Sequence, residues 1–156
     1  MPISVKYSFR QHFNIPAREA YEWCTDYTPE DQALMQEKNA EREVQHVAEN
    51  VRILTDTYVD ENNRAVKEKL VCLYPDQLFW TSTHVAGPNK HSQFLYQIIP
   101  ENKKRSCLRF VGLHLDYRIK EDISRKEIDG ISRKLRKIDS ETWKLLAKEM
   151  EKELKH

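Results

Sequence analysis

The chain begins with a strict alternation. Ile3, Val5, Tyr7, Phe9 and Phe13 share one parity, and Ser4, Lys6, Ser8, Arg10 and His12 share the other. A period of two predicts a strand with one buried face. Ile15-Pro16-Ala17 breaks the pattern, and proline suits a first helical turn because its missing N–H costs nothing there. Ala17, Ala20, Tyr21 and Cys24 then fall on one helical face. Thr28-Pro29-Glu30-Asp31 reads as a second start, with Thr28 as the cap. The spacing predicts two short helices in tandem, over about residues 17–36.

The middle of the chain returns to period two. Val51, Ile53, Thr55, Thr57 and Val59 alternate with Arg52, Leu54, Asp56 and Tyr58. Beyond the turn cluster Asp60-Glu61-Asn62-Asn63, the residues Val66, Glu68, Leu70 and Cys72 alternate with Lys67, Lys69 and Val71. On apolar content the first set of each pair is assigned to the buried face. Tyr74-Pro75-Asp76-Gln77 and Ala86-Gly87-Pro88-Asn89-Lys90 are further turns. They enclose an aromatic and β-branched run from Leu78 to Val85, the composition that strands favour. Phe94, Tyr96 and Ile98 alternate with Gln93, Leu95 and Gln97, and a last strand covers about Ser106–Tyr117. With one more strand near residues 43–48, six consecutive strands joined by short turns predict an antiparallel meander.

The C-terminal period is helical. Ile128, Ile131, Leu135, Ile138, Thr142, Leu145, Leu146, Met150 and Leu154 recur every three to four residues. Ser124, with Glu127 three residues on, has the form of a capping box. The opposite face carries Lys134, Lys137, Glu141, Lys144, Lys148 and Lys152, the pattern of a solvated face.

Composition removes several function classes. The 156 residues include only three glycines, so neither a dinucleotide fingerprint nor a phosphate-cradling loop can be written and no cofactor is expected. The length fits one domain over residues 1–156. A net charge of +1 gives no global drive toward nucleic acid, which is not expected as a partner. No apolar run approaches the ~20 residues of a membrane span, and no secretory signal is visible. Cys24, Cys72 and Cys107 lack metal-clip or redox spacing and read as reduced thiols of a cytoplasmic protein. The six histidines show no i, i+4 pair, so no metal is expected; His84 and His91 could converge across the Gly87-Pro88 turn, but two ligands make a weak site.

The element order is one strand, two short helices, six antiparallel strands and one long helix. It is similar to the helix-grip fold of the START and birch-pollen-allergen (SRPBCC) superfamily, with its polyketide-cyclase-like branch. The wording is closest at Phe13-Asn14-Ile15-Pro16-Ala17-Arg18-Glu19-Ala20-Tyr21-Glu22-Trp23, followed by Asp26, which resembles the family's opening strand and first helix. Two departures stand beside it. Asp31-Gln32-Ala33-Leu34-Met35 lacks the tryptophan that many relatives carry in the second helix, and Asp60-Glu61-Asn62-Asn63-Arg64 replaces the glycine-rich loop of the allergen-like members. The resemblance implies an α+β fold, in which a curved seven-stranded antiparallel sheet wraps a long C-terminal helix. It also implies a cavity for a hydrophobic small molecule or lipid. The residues expected to line it are Ile53, Thr55, Thr57, Leu70, Trp80, Phe94, Tyr96 and Ile98 from the strands and Ile131, Leu135 and Ile138 from the helix. An alternative is a cyclase or dehydratase on a polyketide-like or aromatic substrate; another is a co-chaperone-like interaction module.

Two residues are candidates for acid–base chemistry. Glu68 shares its parity with Val66, Leu70 and Cys72, and a carboxylate among apolar neighbours has a raised pKa. His114 lies two residues from Asp116, which could fix its tautomer. The apolar set Val111, Leu113, Leu115 and Tyr117 turns His114 and Asp116 outward on the same parity rule. Gly112, inside the last strand, marks a bulge or bend, and Gly130 permits close approach of helix and sheet.

Overall fold

The computed structural model describes residues 2–27, 40–119 and 122–154. Seven strands form one curved antiparallel sheet: β1 Ile3–Phe13, β2 Ala40–Ala48, β3 Val51–Asp60, β4 Asn63–Tyr74, β5 Phe79–Ala86, β6 Gln93–Pro100 and β7 Ser106–Asp116. Helix α1 spans Ala17–Thr25 and helix α2 spans Arg125–Leu154. The strand order is β1-β7-β6-β5-β4-β3-β2. The last six strands are therefore a meander, and β1 joins its far edge by pairing with β7. The predicted second helix after Thr28 lies outside the described residues.

Local chemistry sets the boundaries. The Glu127 N–H donates to Ser124 Oγ at 3.2 Å, so the cap before α2 forms as predicted. Its reciprocal half differs: the Ser124 hydroxyl donates to the Glu127 carboxylate rather than Glu127 accepting from the cap N–H. Between β4 and β5 a 3-10 turn at Pro75–Gln77 ends on Leu78 in the left-handed region, φ 52°.

The core fills one end of the fold. Phe13, Ile15, Ala20, Tyr21, Leu73, Ile98, Leu108 and Met150 pack together between α1, the sheet and the C-terminal half of α2. The helix runs along β1: Ser132 Oγ donates to the Lys6 carbonyl at 3.0 Å, and the Asn14 N–H donates to Glu151 at 2.9 Å. The basic residues Arg133, Lys134, Arg136 and Lys137 are exposed.

Parity is as read on β1 and β6 and opposite on β3 and β4. Leu54, Asp56 and Val71 are the buried residues of β3 and of the middle of β4, and Leu54, Tyr58, Lys67 and Lys69 face the helix. Ile53, Thr55, Thr57 and Leu70 therefore occupy the outer face, where Ile53 pairs with Leu70 and Thr55 with Glu68. On β7, too, the expectation is reversed: His114 and Asp116 lie on the inner face, and Leu113 is exposed outside. Here the inner face is polar, so apolar content points the wrong way.

The structure changes the reading of two glycines. The β1–β7 register runs unbroken through Tyr7↔Gly112, so Gly112 marks no bulge. A methyl group there would sit 2.9 Å from the Tyr7 ring, and the glycine instead makes room for that ring. Gly130 faces open space; the nearest atom to an added Cβ is on Arg133 at 3.9 Å, within the same helix.

Candidate functional site

Away from the packed end, the inner face of the sheet and the middle of α2 enclose a cavity of about 360 Å³. One wall is aromatic. Tyr7, Phe94, Tyr96, Phe110 and Trp143 line it, and Tyr96 meets Phe110 edge-on at 5.2 Å and Trp143 at 5.9 Å. Leu54, Leu135, Ile138 and Leu146 add aliphatic surface. Ile138 is half exposed, which puts it at the cavity's mouth.

The opposite wall is polar. Arg42 of β2, Asp56 of β3 and Lys69 of β4 form one ion cluster. Arg42 donates to Asp56 through Nε at 2.7 Å and through Nη2 at 2.9 Å, and Lys69 Nζ donates to the same carboxylate at 2.7 Å. Asp56 is fully buried. Burial acts to raise its pKa, but the Arg42 hydrogen bonds and the Lys69 and Arg42 charges prevail and hold it down at about 2. Lys67 pairs directly with Asp56 across the strands, and its ammonium stands 5.1 Å from the Tyr58 ring.

His84 stands near the end of β5 and Asn89 in the turn that follows it. His84 Nδ1–H donates to Asn89 Oδ1 at 3.0 Å, which leaves Nε2 as the acceptor of the neutral ring. Burial, then the Lys69 charge, pushes His84 down to about 4. His114 is also lowered by burial, against the pull of Asp116. Its Nε2 lies 3.9 Å from Asp116, whose carboxylate is held instead by Arg118 at 2.9 Å.

On the helix side the Tyr7 hydroxyl donates to Asp139. Burial raises the Asp139 carboxyl, opposed by that hydrogen bond and by the charges of His114, Lys67 and Lys69. Burial, the Asp139 charge and the hydrogen bond all raise the Tyr7 phenol.

Of the residues singled out from the sequence, Phe94, Tyr96, Leu135, Ile138 and His114 line this cavity. Ile98 and Trp80 are buried beside it. Trp80 stacks behind Tyr96 at 4.8 Å, and its indole N–H has no hydrogen-bond partner among the described residues. Ile131 lies one turn before Leu135, outside the lining. Ile53, Thr55, Thr57 and Leu70 are on the far face of the sheet, and Glu68, exposed there, has no access to the cavity. The residues missed include Tyr7, Leu54, Phe110 and Trp143 of the apolar wall and, among the charged and titratable groups, Arg42, Asp56, Lys67, Lys69, His84 and Asp139. The signal for the charged ones was charge itself: Asp56 and Lys67 are opposite-sign partners across a hairpin turning at Glu61-Asn62.

His84 and His91 do not form a pair, since His91 is bonded to the Tyr117 hydroxyl at 2.9 Å. Among the described residues, three groups able to hold a metal meet only at His12, Glu101 and Cys107 on the outer face. There His12 and Glu101 already bond each other at 2.7 Å, and burial raises the Cys107 thiol. Among the described residues no helix is long and apolar enough to cross a membrane.

No protein-family model and no curated protein matches the chain by sequence. Solved structures do match in three dimensions. The Zhui aromatase/cyclase from Streptomyces sp. R1128 aligns with a TM-score of 0.71 at 9% identity, covering 98% of this chain and 97% of that one. Norcoclaurine synthase from Thalictrum flavum, solved with dopamine and hydroxybenzaldehyde, aligns at 0.67 and 10% identity, over 94% and 86% of the two chains. A START superfamily protein from Mycobacterium smegmatis aligns at 0.64 and 15% identity, over 96% of each. These likenesses, spanning nearly the whole chain, assign it the helix-grip fold shared by START-like, pollen-allergen-like and polyketide-cyclase-like proteins.

Proposed function

We propose that this chain binds one small hydrophobic molecule in the cavity between sheet and helix and carries or sequesters it. The observation that supports this is the cavity of about 360 Å³ with eight aromatic side chains in its walls. Small-molecule sites are concave, mostly apolar and fixed by a few polar groups, with volumes from about 300 Å³ upward. At a packing density of ~0.74 the space takes a body of roughly 15–20 non-hydrogen atoms. That is a ring system or a short acyl chain, not a two-chain lipid.

A second reading is a cyclase- or dehydratase-type enzyme on an aromatic or polyketide-like substrate. It is favoured by the Tyr7–Asp139 pair and His114, which face the same space. A carboxyl whose pKa is raised by burial can hand a proton to a substrate oxygen, and a neutral imidazole can take one. Glu68, on the outer face, drops out of this reading.

Native mass spectrometry with N-phenyl-1-naphthylamine, a neutral aromatic probe, tests the binding reading. One probe per chain is expected. Thr142→Trp, which projects an indole from α2 into the cavity, is expected to abolish the adduct. A chain that takes up no probe, or takes it up equally with the cavity filled, would contradict the reading.

A further inference from the structure

The inner face of β5 carries two polar side chains with open hydrogen-bonding capacity. Ser82 and His84 share one parity on the strand, line the cavity and are each 6% exposed. The other buried polar side chains among the described residues are hydrogen-bonded within the protein. Ser106 Oγ donates to the Ile15 carbonyl at 2.8 Å, and Ser92 Oγ accepts from the Leu115 N–H at 2.8 Å. Asp56 and Asp116 are held by arginines, and Asn89 by His84. Ser82 alone of this set makes no side-chain hydrogen bond to a described residue. His84 bonds Asn89 through Nδ1, and no described residue bonds its Nε2.

Such groups are costly in a hydrocarbon site. A buried hydroxyl or ring nitrogen without a partner loses its water and gains no bond in return. Both adjoin an apolar ring: Ser82 pairs with Phe94 across the strands, and the His84 ring lies 5.0 Å from the Phe94 ring. A pKa of about 4 keeps the His84 imidazole neutral at neutral pH, so Nε2 stays an acceptor. The pair therefore presents one acceptor and one hydroxyl, two residues apart on one strand face. A ligand hydroxyl answers both, because it has one proton to donate and lone pairs to accept with. An ether or a carboxylate has no proton for Nε2, and a hydrocarbon satisfies neither group.

We infer that β5 forms a hydroxyl subsite: the ligand carries a neutral hydroxyl that donates to His84 Nε2 and accepts from the Ser82 hydroxyl, with its apolar body against Phe94. This rests on the binding reading above and adds the class of ligand to it. A site built to bond a ligand hydroxyl discriminates against the analogue that lacks it, because the buried groups are then left unpaired.

The test compares two probes of one shape. 2-Naphthol carries a hydroxyl where 2-methylnaphthalene carries a methyl group. Displacement of N-phenyl-1-naphthylamine from the full chain gives both affinities, with Thr142→Trp measuring binding outside the cavity. The ratio of naphthol to methylnaphthalene affinity is expected to fall about fivefold in Ser82→Ala and about tenfold in His84→Phe, the scale of one hydrogen bond each. Ser82→Ala removes no side-chain bond to a described residue, so the fold is kept. A second readout needs no variant. In a long-range proton–nitrogen spectrum of the chain with isotope-labelled histidine, 2-naphthol is expected to move the His84 Nε2 resonance upfield, as acceptance of a proton requires, and 2-methylnaphthalene is not. A ratio unchanged in either variant, or an Nε2 resonance that saturating 2-naphthol leaves in place, would overturn the inference while leaving the cavity reading intact. Failure of all three probes to bind would bring down the two together.

Discussion

Replacing Asp56 with Ala is expected to cost the fold about 3–5 kcal/mol, the usual penalty for leaving a buried charge without its partner. Arg42 and Lys69 would then face each other with no carboxylate between them. For a chain of this length the loss corresponds to a drop in melting temperature of roughly 6–20 °C. The loss comes from stranding the cations, not from any large net gain in the cluster, because desolvation offsets most of the attraction. The triple variant Arg42→Met, Asp56→Leu, Lys69→Met is therefore expected to recover most of the stability. Thermal unfolding of the two variants checks this. An Asp56→Ala chain that melts within a degree or two of the parent would show that the cluster is not buried as described.

The second large effect is a loss of stability on mild acidification, carried by His84. Its pKa falls from 6.5 to about 4 on folding, so below neutrality the unfolded chain binds a proton that the native chain refuses. Stability must therefore fall as pH drops from about 7 to about 4 and level off once native His84 is protonated. The full shift is worth up to about 3 kcal/mol. His114, also lowered, pulls the same way, and Asp139, raised by burial, opposes it at the acid end. Asp56 acts in a separate, lower window. Its folded pKa of about 2 lies below the ordinary 3.8, so its contribution is present above about 4 and disappears toward pH 2. Denaturant titrations from pH 7 to pH 4 are expected to show the loss in the parent and a much shallower one in His84→Gln. Equal slopes would mean that His84 is not held neutral by burial.

How far the sequence discloses this molecule depends on what each face meets. On β1 and β6 the inner residues touch an apolar surface throughout, so Val5, Tyr7, Phe94 and Ile98 disclose their side by hydrophobicity alone. Helix α2 is legible for the same reason through Leu135, Leu146 and Met150. On β3 and β4 the inner face passes from core to cavity along its length. Leu54, Val71 and Leu73 lie in the core, and Lys67 and Lys69 face the cavity with Asp56 buried behind them. The outer face meanwhile carries β-branched residues such as Ile53, Thr55 and Thr57, which strands favour even when half exposed. Counting apolar residues by parity then selects the outer face, which turns Glu68 into a false candidate and hides Lys67. His114 is concealed by the same inversion on β7. Asp139 was within reach, one position from Ile138 in the helical stripe, but only the fold brings Tyr7 to it.

An apolar molecule is expected to occupy the space between the sheet and α2. The most direct measurement is an amide chemical-shift map, by two-dimensional nuclear magnetic resonance, of the full chain with and without N-phenyl-1-naphthylamine. Shifts are expected to concentrate at Tyr7, Phe94, Tyr96, Leu135 and Trp143, with Leu95, Val111 and Leu113 of the outer face unmoved. Shifts confined to that outer face, or none at saturating probe, would contradict the account.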